Sequence, residues 1–232
     1  MDVDTPAFAA RHGLTAEAIA ARLFAAHGGR IRVKKPKVAV PNLARLLAAA
    51  LDIAGRKGFH SMSMRDLAEA SGLSMGALYT YIQDKDTLLA LILDAVTEAV
   101  ERVLAPYEPG EEDPRRRLAG LIRRHVLLSD AMQPWFAFAY MEVKAFHREA
   151  RDHTIAQELA TEHLFADAIA AGMRAGVYRA DDPVMAAALV KPLLQDWYLK
   201  RWKHRRRGTT PDAYAATVTA FVERALGVAD GA

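Results

Sequence analysis

The sequence predicts an all-α protein, and three observations carry that prediction. Apolar residues recur at the i, i+3, i+4, i+7 spacing of one buried helix face, as in Leu43, Leu46, Leu47, Ala50, Leu51 and Ala54. Helix boundaries are written repeatedly, with Ser, Thr or Asp ahead of apolar runs and Gly or Pro after them. From Pro114 to the end there is no strand-like alternation and no glycine-rich phosphate loop.

Residues 6–27 read as helix from Thr15 onward, where Thr15 caps and Ile19, Leu23 and Phe24 form a narrow apolar stripe. The next stretch, GGRIRVKKPKVAVP, breaks a helix with Gly28, Gly29, Pro36 and Pro41, and its five cations without an acid make it a basic arm. A long helix is expected from Pro41-Asn42 to Gly58. Ser63, with Asp66 three residues on, starts a second helix by a capping-box pattern, and it stops at Ser71-Gly72 after about two turns. Ser74 caps a third through Tyr81, and Asp84 caps a fourth from Lys85 to about Leu104 along Leu88, Ile92, Ala95, Ala99 and Val103. Helices this short need tertiary support, supplied here by Leu67, Leu73, Leu78 and Ile82. With Ala68 and Gly72 small enough for close approach, the unit is a helix-turn-helix. The remaining helices are placed near 114–130, 133–148, 149–175, 183–203 and 210–226.

Charge and composition narrow the function. The 232-residue chain carries a net charge of +3, but its distribution is uneven. Arg30 to Ala90 holds ten Lys or Arg against five Asp or Glu, a net +5 that leaves the remainder at −2. That is the pattern of a phosphate-binding head on a near-neutral body, or of a solvated basic surface. Hydrophobic residues make up 52% of the chain, mostly Ala and Leu at helical spacing, and no uncharged apolar run approaches the ~20 residues of a membrane span. The acidic N-terminus MDVDTPAF lacks the positive region of a secretory signal, so a cytoplasmic location without membrane attachment is expected. Zero cysteines exclude disulfides, zinc-thiolate sites and thiol catalysis. The histidines are scattered, and His147, Glu149 and His153 lack both the helical zinc-pair spacing and a third ligand. No cofactor, metal or catalytic site is expected, and no Gly-x-Ser-x-Gly elbow supports an enzyme.

The second short helix projects Ser74, Met75, Gly76, Tyr79 and Thr80, side chains suited to a DNA groove by small size, hydroxyls and a methyl-reading thioether. Here Met64-Arg65-Asp66-Leu67-Ala68, Ser71-Gly72-Leu73-Ser74, Gly76-Ala77-Leu78-Tyr79 and Asp84-Lys85-Asp86 with Leu88-Leu89 resemble, in order and spacing, the head of the TetR (tetracycline-repressor-like) bacterial transcription regulators. Two departures stand out: Ile82 replaces the usual Phe, and some forty residues precede the first helix. The resemblance implies a division into an N-terminal extension (1–38), a helix-turn-helix DNA-binding domain (39–90) and a helical ligand-binding and dimerisation domain (91–232). It also implies that Tyr79 and Tyr81 contact backbone phosphates, that Lys85 meets a phosphate at the fourth helix's N-terminus, and that Ser63 and Arg65 anchor the first short helix. Met75, Gly76 and Thr80 would face the bases. Arg32, Lys34 and Lys35 of the arm would reach along or into the minor groove; the alternative is a solvated linker.

By the same resemblance the last two helices pair across a homodimer, which presents two recognition helices to a palindromic double-stranded operator. Val184, Ala187, Ala188 and Leu194, with Tyr214, Val218, Phe221, Val222 and Leu226, suffice to bury both helices in a bundle. An apolar effector site is expected from Met132, Trp135, Phe136, Phe138, Tyr140 and Met141, facing Phe165, Trp197 and Tyr198; the alternative is ordinary core. QDWYLKRWKHRRRGTTPDAY (195–214) is similar to the branch of the family that responds to fatty acids or acyl-CoA thioesters, where W-Y-x-x-R-W recurs. Lys200, Arg201, Lys203, Arg205, Arg206 and Arg207 either bind the phosphates of such a ligand or are solvated charges at a helix C-terminus. The expected function is a ligand-responsive repressor; a helical nucleoid-type protein binding DNA through charge alone is the alternative.

Overall fold

The structure, a computed structural model, describes residues 5–106 and 112–227. Among these the chain is helical, without strands: α1 (Thr5–Arg11), α2 (Ala16–His27), α3 (Pro36–Lys57), α4 (Met64–Ser71), α5 (Met75–Leu78), α6 (Lys85–Leu104), α7 (Pro114–Ala131), α8 (Gln133–Met141), α9 (Arg148–Arg174), α10 (Pro183–Leu199), α11 (Arg201–Arg206) and α12 (Pro211–Ala225). A single 3₁₀ turn, Val143–Ala145, follows α8. The described residues form two compact units, one of residues 9–98 with 134–154, the other of 5–8, 99–106, 112–133 and 155–227.

The first unit is built around α3, whose apolar face buries Leu43, Leu46, Leu47, Ala50, Ile53 and Ala54. This helix starts five residues before the sequence reading. Pro36 serves at its first turn, where a missing N–H costs nothing, and Pro41 is carried inside at the loss of one backbone bond. Burial of Ala39 and Leu43 on either side of Pro41 holds the extra turn in place. By length and composition α3 alone among the described helices could cross a membrane, but 56% of its most apolar window is buried inside the protein, as befits a core helix. From Ala9 onward the N-terminal extension belongs to this unit. Helix α2 lays Ile19, Ala20 and Leu23 into the core next to α3, and the Arg22–Glu98 ion pair (3.1 Å) and a polar contact between His27 and Asp94 (3.1 Å) tie it to α6.

The second unit packs α7, α10 and α12 with the C-terminal part of α9. Its core contains Leu118, Ile122, Phe165, Ile169, Leu194 and Trp197, with Val218, Val222 and Leu226 from α12. Two ion pairs, Arg115–Glu223 and Arg123–Asp212, cross from α7 to α12. Gly172 lies so close to Tyr178 that a β-carbon there would stand 2.2 Å from the ring, so the α9 backbone and this ring approach only through glycine.

Candidate nucleic-acid interface

The first short helix is held by a complete capping box. Ser63 Oγ accepts from the Asp66 N–H, and the Asp66 carboxylate accepts from the Ser63 N–H (2.8 Å) and from Lys57 Nζ (2.7 Å). These donors hold the Asp66 carboxyl well below the usual carboxylate range, led by the Lys57 hydrogen bond. Gly72 ends α4 in the left-handed region (φ 66°) and donates back to Ala68 and Glu69, which turns the chain sharply into Ser74. Ser74 Oγ accepts from the Ala77 N–H and opens α5. Hydrogen bonds Tyr79→Met75, Thr80→Ala77, Tyr81→Leu78 and Ile82→Leu78 then continue the winding past the four α-helical residues to Ile82. Leu67, Leu78 and Ile82 are buried as the sequence required.

The outward face of α5 carries most of the residues expected there. Met75 is 39% and Tyr79 43% exposed, among the large apolar or aromatic residues that the described fold leaves in the open. Gly76 has nothing within 4 Å of where a β-carbon would stand, and its φ is not positive, so no contact within the chain asks for glycine. Arg65 on α4 is exposed as well.

Other expected contacts are engaged internally. Tyr81 is only 3% exposed, and its hydroxyl accepts from Asn42 Nδ2 at 2.9 Å; it is packed against α3, whose Asn42 is in turn held by Arg45. Lys85 donates to the His60 carbonyl (2.8 Å) and sits 5.0 Å over the Phe59 ring, and partial burial lowers its pKa. Thr80 is bonded through both hydroxyl and carbonyl: Oγ1 donates to Ala77 O, and the carbonyl accepts from the Arg32 N–H at 2.8 Å.

That last bond changes the reading of the arm. Residues 28–35 are neither a free tail nor a solvated linker: Ile31 is buried at 1% exposure, and the arm backbone is pinned to the turn that follows α5. Lys34 Nζ folds back onto the carbonyls of Gly28 and Ile31, and Lys35 is the N-cap position of α3. Arg32 and a residue the sequence reading passed over, Arg30, line a concavity of about 220 Å³ together with Tyr79, Gln83 and Thr87. Spacing along the chain gives no sign of it, because Arg30 and Tyr79 meet only through the fold.

Comparison with known proteins fits this geometry. Residues 46–92 match the family model described as bacterial regulatory proteins of the tetR family, and residues 111–226 match the tetracyclin repressor-like C-terminal domain. The chain belongs to the TetR family. It is 23% identical over 170 residues to the HTH-type transcriptional regulator HbdR of Aromatoleum sp. (strain CIB), covering 73% of this chain and 74% of that one. The repressor KstR2 of Rhodococcus jostii (strain RHA1) is 27% identical over 182 residues, 76% of this chain and 87% of KstR2. Among solved structures, a tetR-family regulator from Rhodococcus RHA1 superposes with a TM-score of 0.72 at 24% identity, covering 81% of this chain and 97% of the other. AibR in complex with isovaleryl coenzyme A and operator DNA gives 0.67 at 21% identity, over 78% and 97%. As a TetR-family member the chain is a DNA-binding transcriptional regulator, and its relatives are named as regulators rather than enzymes.

In this TetR-family chain the aromatic candidates for an effector site divide between the two units. Trp135, Phe136 and Phe138 are buried in the first, where Phe138 meets Phe59 edge-on (5.3 Å) and Phe146 (5.7 Å). Tyr140 and Met141 at the end of α8 are 45% and 66% exposed. Met132, Phe165, Trp197 and Tyr198 are buried in the second unit. Trp197 stacks with His204 (5.0 Å) and Tyr214 (4.8 Å), while Arg201 lies 4.3 Å over its ring.

Of the six neighbouring cations, three are committed to carboxylates: Lys200 and Lys203 to Asp196, and Arg201 to Asp130. Against the opposing effect of burial, Lys203, Lys200 and His204 lower the Asp196 carboxyl to about 2. Arg206 lies 5.7 Å from the Trp202 ring. The second unit also contains a polar cluster the sequence reading missed: Lys191, 4% exposed, pairs with Glu158 (3.3 Å), which also accepts from Gln195. Burial lowers the pKa of Lys191 and holds that of His125 well below its ordinary value. His147 accepts from the Ala150 N–H, and His153 shares a hydrogen bond with Thr97 Oγ1 on α6.

Proposed function

We propose that this regulator binds a palindromic operator as a homodimer in the cytoplasm and represses transcription until a small apolar effector, a fatty acid or acyl-CoA, releases it. The observation that carries the reading is the recognition face itself: Met75, Gly76 and Tyr79 stand open on a helix too short to exist without its supporting core. Two-fold pairing is supported by a second open face. Met185 and Leu189 on α10 are 58% and 66% exposed and four residues apart, Val184 adjoins them, and Phe221 on α12 is 55% exposed. An apolar stripe of this kind on two core helices is what a self-complementary interface covers.

The effector class is supported by the family resemblance of the 195–214 segment and by the relative solved with isovaleryl coenzyme A and operator DNA. The buried aromatics supply apolar surface, and the Lys191–Glu158–Gln195 cluster supplies polar groups for a ligand head. An effector that binds the released state better shifts the population away from the operator-competent dimer.

The test is binding of the purified protein to its own upstream intergenic DNA at ~150 mM salt with excess unrelated duplex. The proposal expects a protected palindrome, loss of protection with Tyr79→Ala without loss of folding, and release by an acyl-CoA series. Binding erased by competitor in the wild type would replace it with charge-only association.

A further inference from the structure

We propose that Arg30 and Arg32 form, with Tyr79, a clamp for backbone phosphates of the bound duplex, so that the N-terminal extension completes the DNA-binding surface rather than entering the minor groove. The inference rests on the reading of α5 as the DNA-facing helix. Three observations carry it.

The first is placement. Arg30, Arg32 and Tyr79 line one concavity of about 220 Å³, with Gln83, Thr87 and the largely buried Tyr81 and Ile82 on its other walls. Its size admits a phosphate group, and its lining offers two guanidiniums, a phenol and an amide, the donors that phosphate oxygens take. The second is pre-organisation. The arm is fixed at both ends of the arginine pair: the Arg30 and Ile31 N–H groups donate to the His27 carbonyl, Ile31 is buried, and the Arg32 N–H donates to the Thr80 carbonyl. The Lys34 staple onto Gly28 and Ile31 closes the loop from the far side. A segment held this way cannot extend several residues down a groove, but it holds its side chains beside the recognition helix.

The third is charge. Both arginines are exposed and form no ion pair among the described residues, while Lys57, Arg22 and Arg56 of the same unit each hold a carboxylate. Of the two acids beside Gln83 and Thr87, Asp84 accepts from the hydroxyl and the backbone N–H of Thr87, bonds that lower its pKa and turn it to its own helix start, and Asp86 is exposed.

The test measures operator affinity against salt for wild type and for Arg30→Ala/Arg32→Ala. Both substitutions keep the backbone N–H groups that anchor the arm, so far-UV circular dichroism and Tm should not change. Each lost phosphate contact lowers the slope of log K on log salt by ~0.9, so the double variant should be shallower by about two. A fourfold rise in salt then narrows its gap to wild type about tenfold. The order of preference among operator variants should stay the same, and Arg30→Lys/Arg32→Lys should recover the slope.

A wild-type slope in the alanine variant overturns the clamp. So does a slope change accompanied by lost discrimination between A·T and G·C pairs flanking the half-site, which is the signature of minor-groove reading. Should competitor erase wild-type binding, the operator reading falls, but the slope on unrelated duplex still decides the clamp: shallower by about two upholds it, unchanged overturns it.

Discussion

Tyr79 and Tyr81 lie two residues apart, and the structure separates their roles sharply enough to test with one oxygen atom each. Tyr81→Phe removes a hydroxyl that accepts from Asn42 Nδ2 at 2.9 Å on a side chain only 3% exposed. Asn42 itself is half-buried, so water can replace part of what the amide loses. The expected cost is therefore that of one ordinary hydrogen bond, about 1 kcal/mol, rather than a fully buried orphan donor. For a chain of this size that lowers Tm by roughly 2–4 °C. Because the bond joins α3 to the turn after α5, Asn42→Ala should remove the same interaction, and the double variant should melt little lower than either single one. Operator affinity well below Tm should stay within about twofold of wild type, since 1.4 kcal/mol would be needed for a tenfold change. Tyr79→Phe should show the reverse, an unchanged Tm and weaker binding. The assays are thermal unfolding by circular dichroism and competitor-resistant DNA binding. A Tyr81→Phe protein that keeps its Tm and loses operator affinity tenfold would refute the reasoning, and would return Tyr81 to the phosphate contact expected from the family resemblance.

Gly76→Ala should leave folding intact or improve it by up to ~1 kcal/mol, because alanine is the better helix former and nothing occupies the space; operator affinity should nevertheless fall, and full affinity would show that no partner approaches there. Leu189→Glu, at a 66% exposed position, should leave secondary structure unchanged and convert a dimer to a monomer in light scattering, with parallel loss of operator binding. His125 gives a pH prediction. Its folded pKa is depressed by burial and then by Lys191, so below about 6.5 the unfolded chain takes up a proton that the folded chain does not. Stability is thus highest above that pH and falls as pH drops below it. His125→Gln should flatten the fall in urea midpoint between about pH 7.5 and 5.5, and an unchanged profile would assign it to other groups.

The local signals of the head were legible because each is settled by neighbours in sequence. Ser63 and Asp66 form the capping box, Gly72 takes the left-handed turn, and Ser74 caps α5, all within four residues of their partners. The buried faces of α3 and α6 follow from periodicity in the same way. The start of α3 was misjudged because Pro41 reads as a breaker on its own, whereas burial of Ala39 and Leu43 on its flanks outweighs one missing backbone bond.

What the sequence by itself determined is the helical class, the helix-turn-helix and the outward face of α5 at Met75, Gly76 and Tyr79. Tertiary structure decided which polar groups the chain itself engages. Tyr81, Lys34 and Lys85 carry the right chemistry for phosphate but bond to Asn42, to the arm's own carbonyls and to the His60 carbonyl. Arg32 gains its position from a hydrogen bond to Thr80, 48 residues beyond it, and Arg30 lies two residues before that anchor. Likewise Lys191 is buried because α9 brings Glu158 to it. Local pattern sets backbone conformation, because the competing interactions lie within a turn or two; the fate of a long polar side chain depends on donors and acceptors that only packing brings within 3 Å.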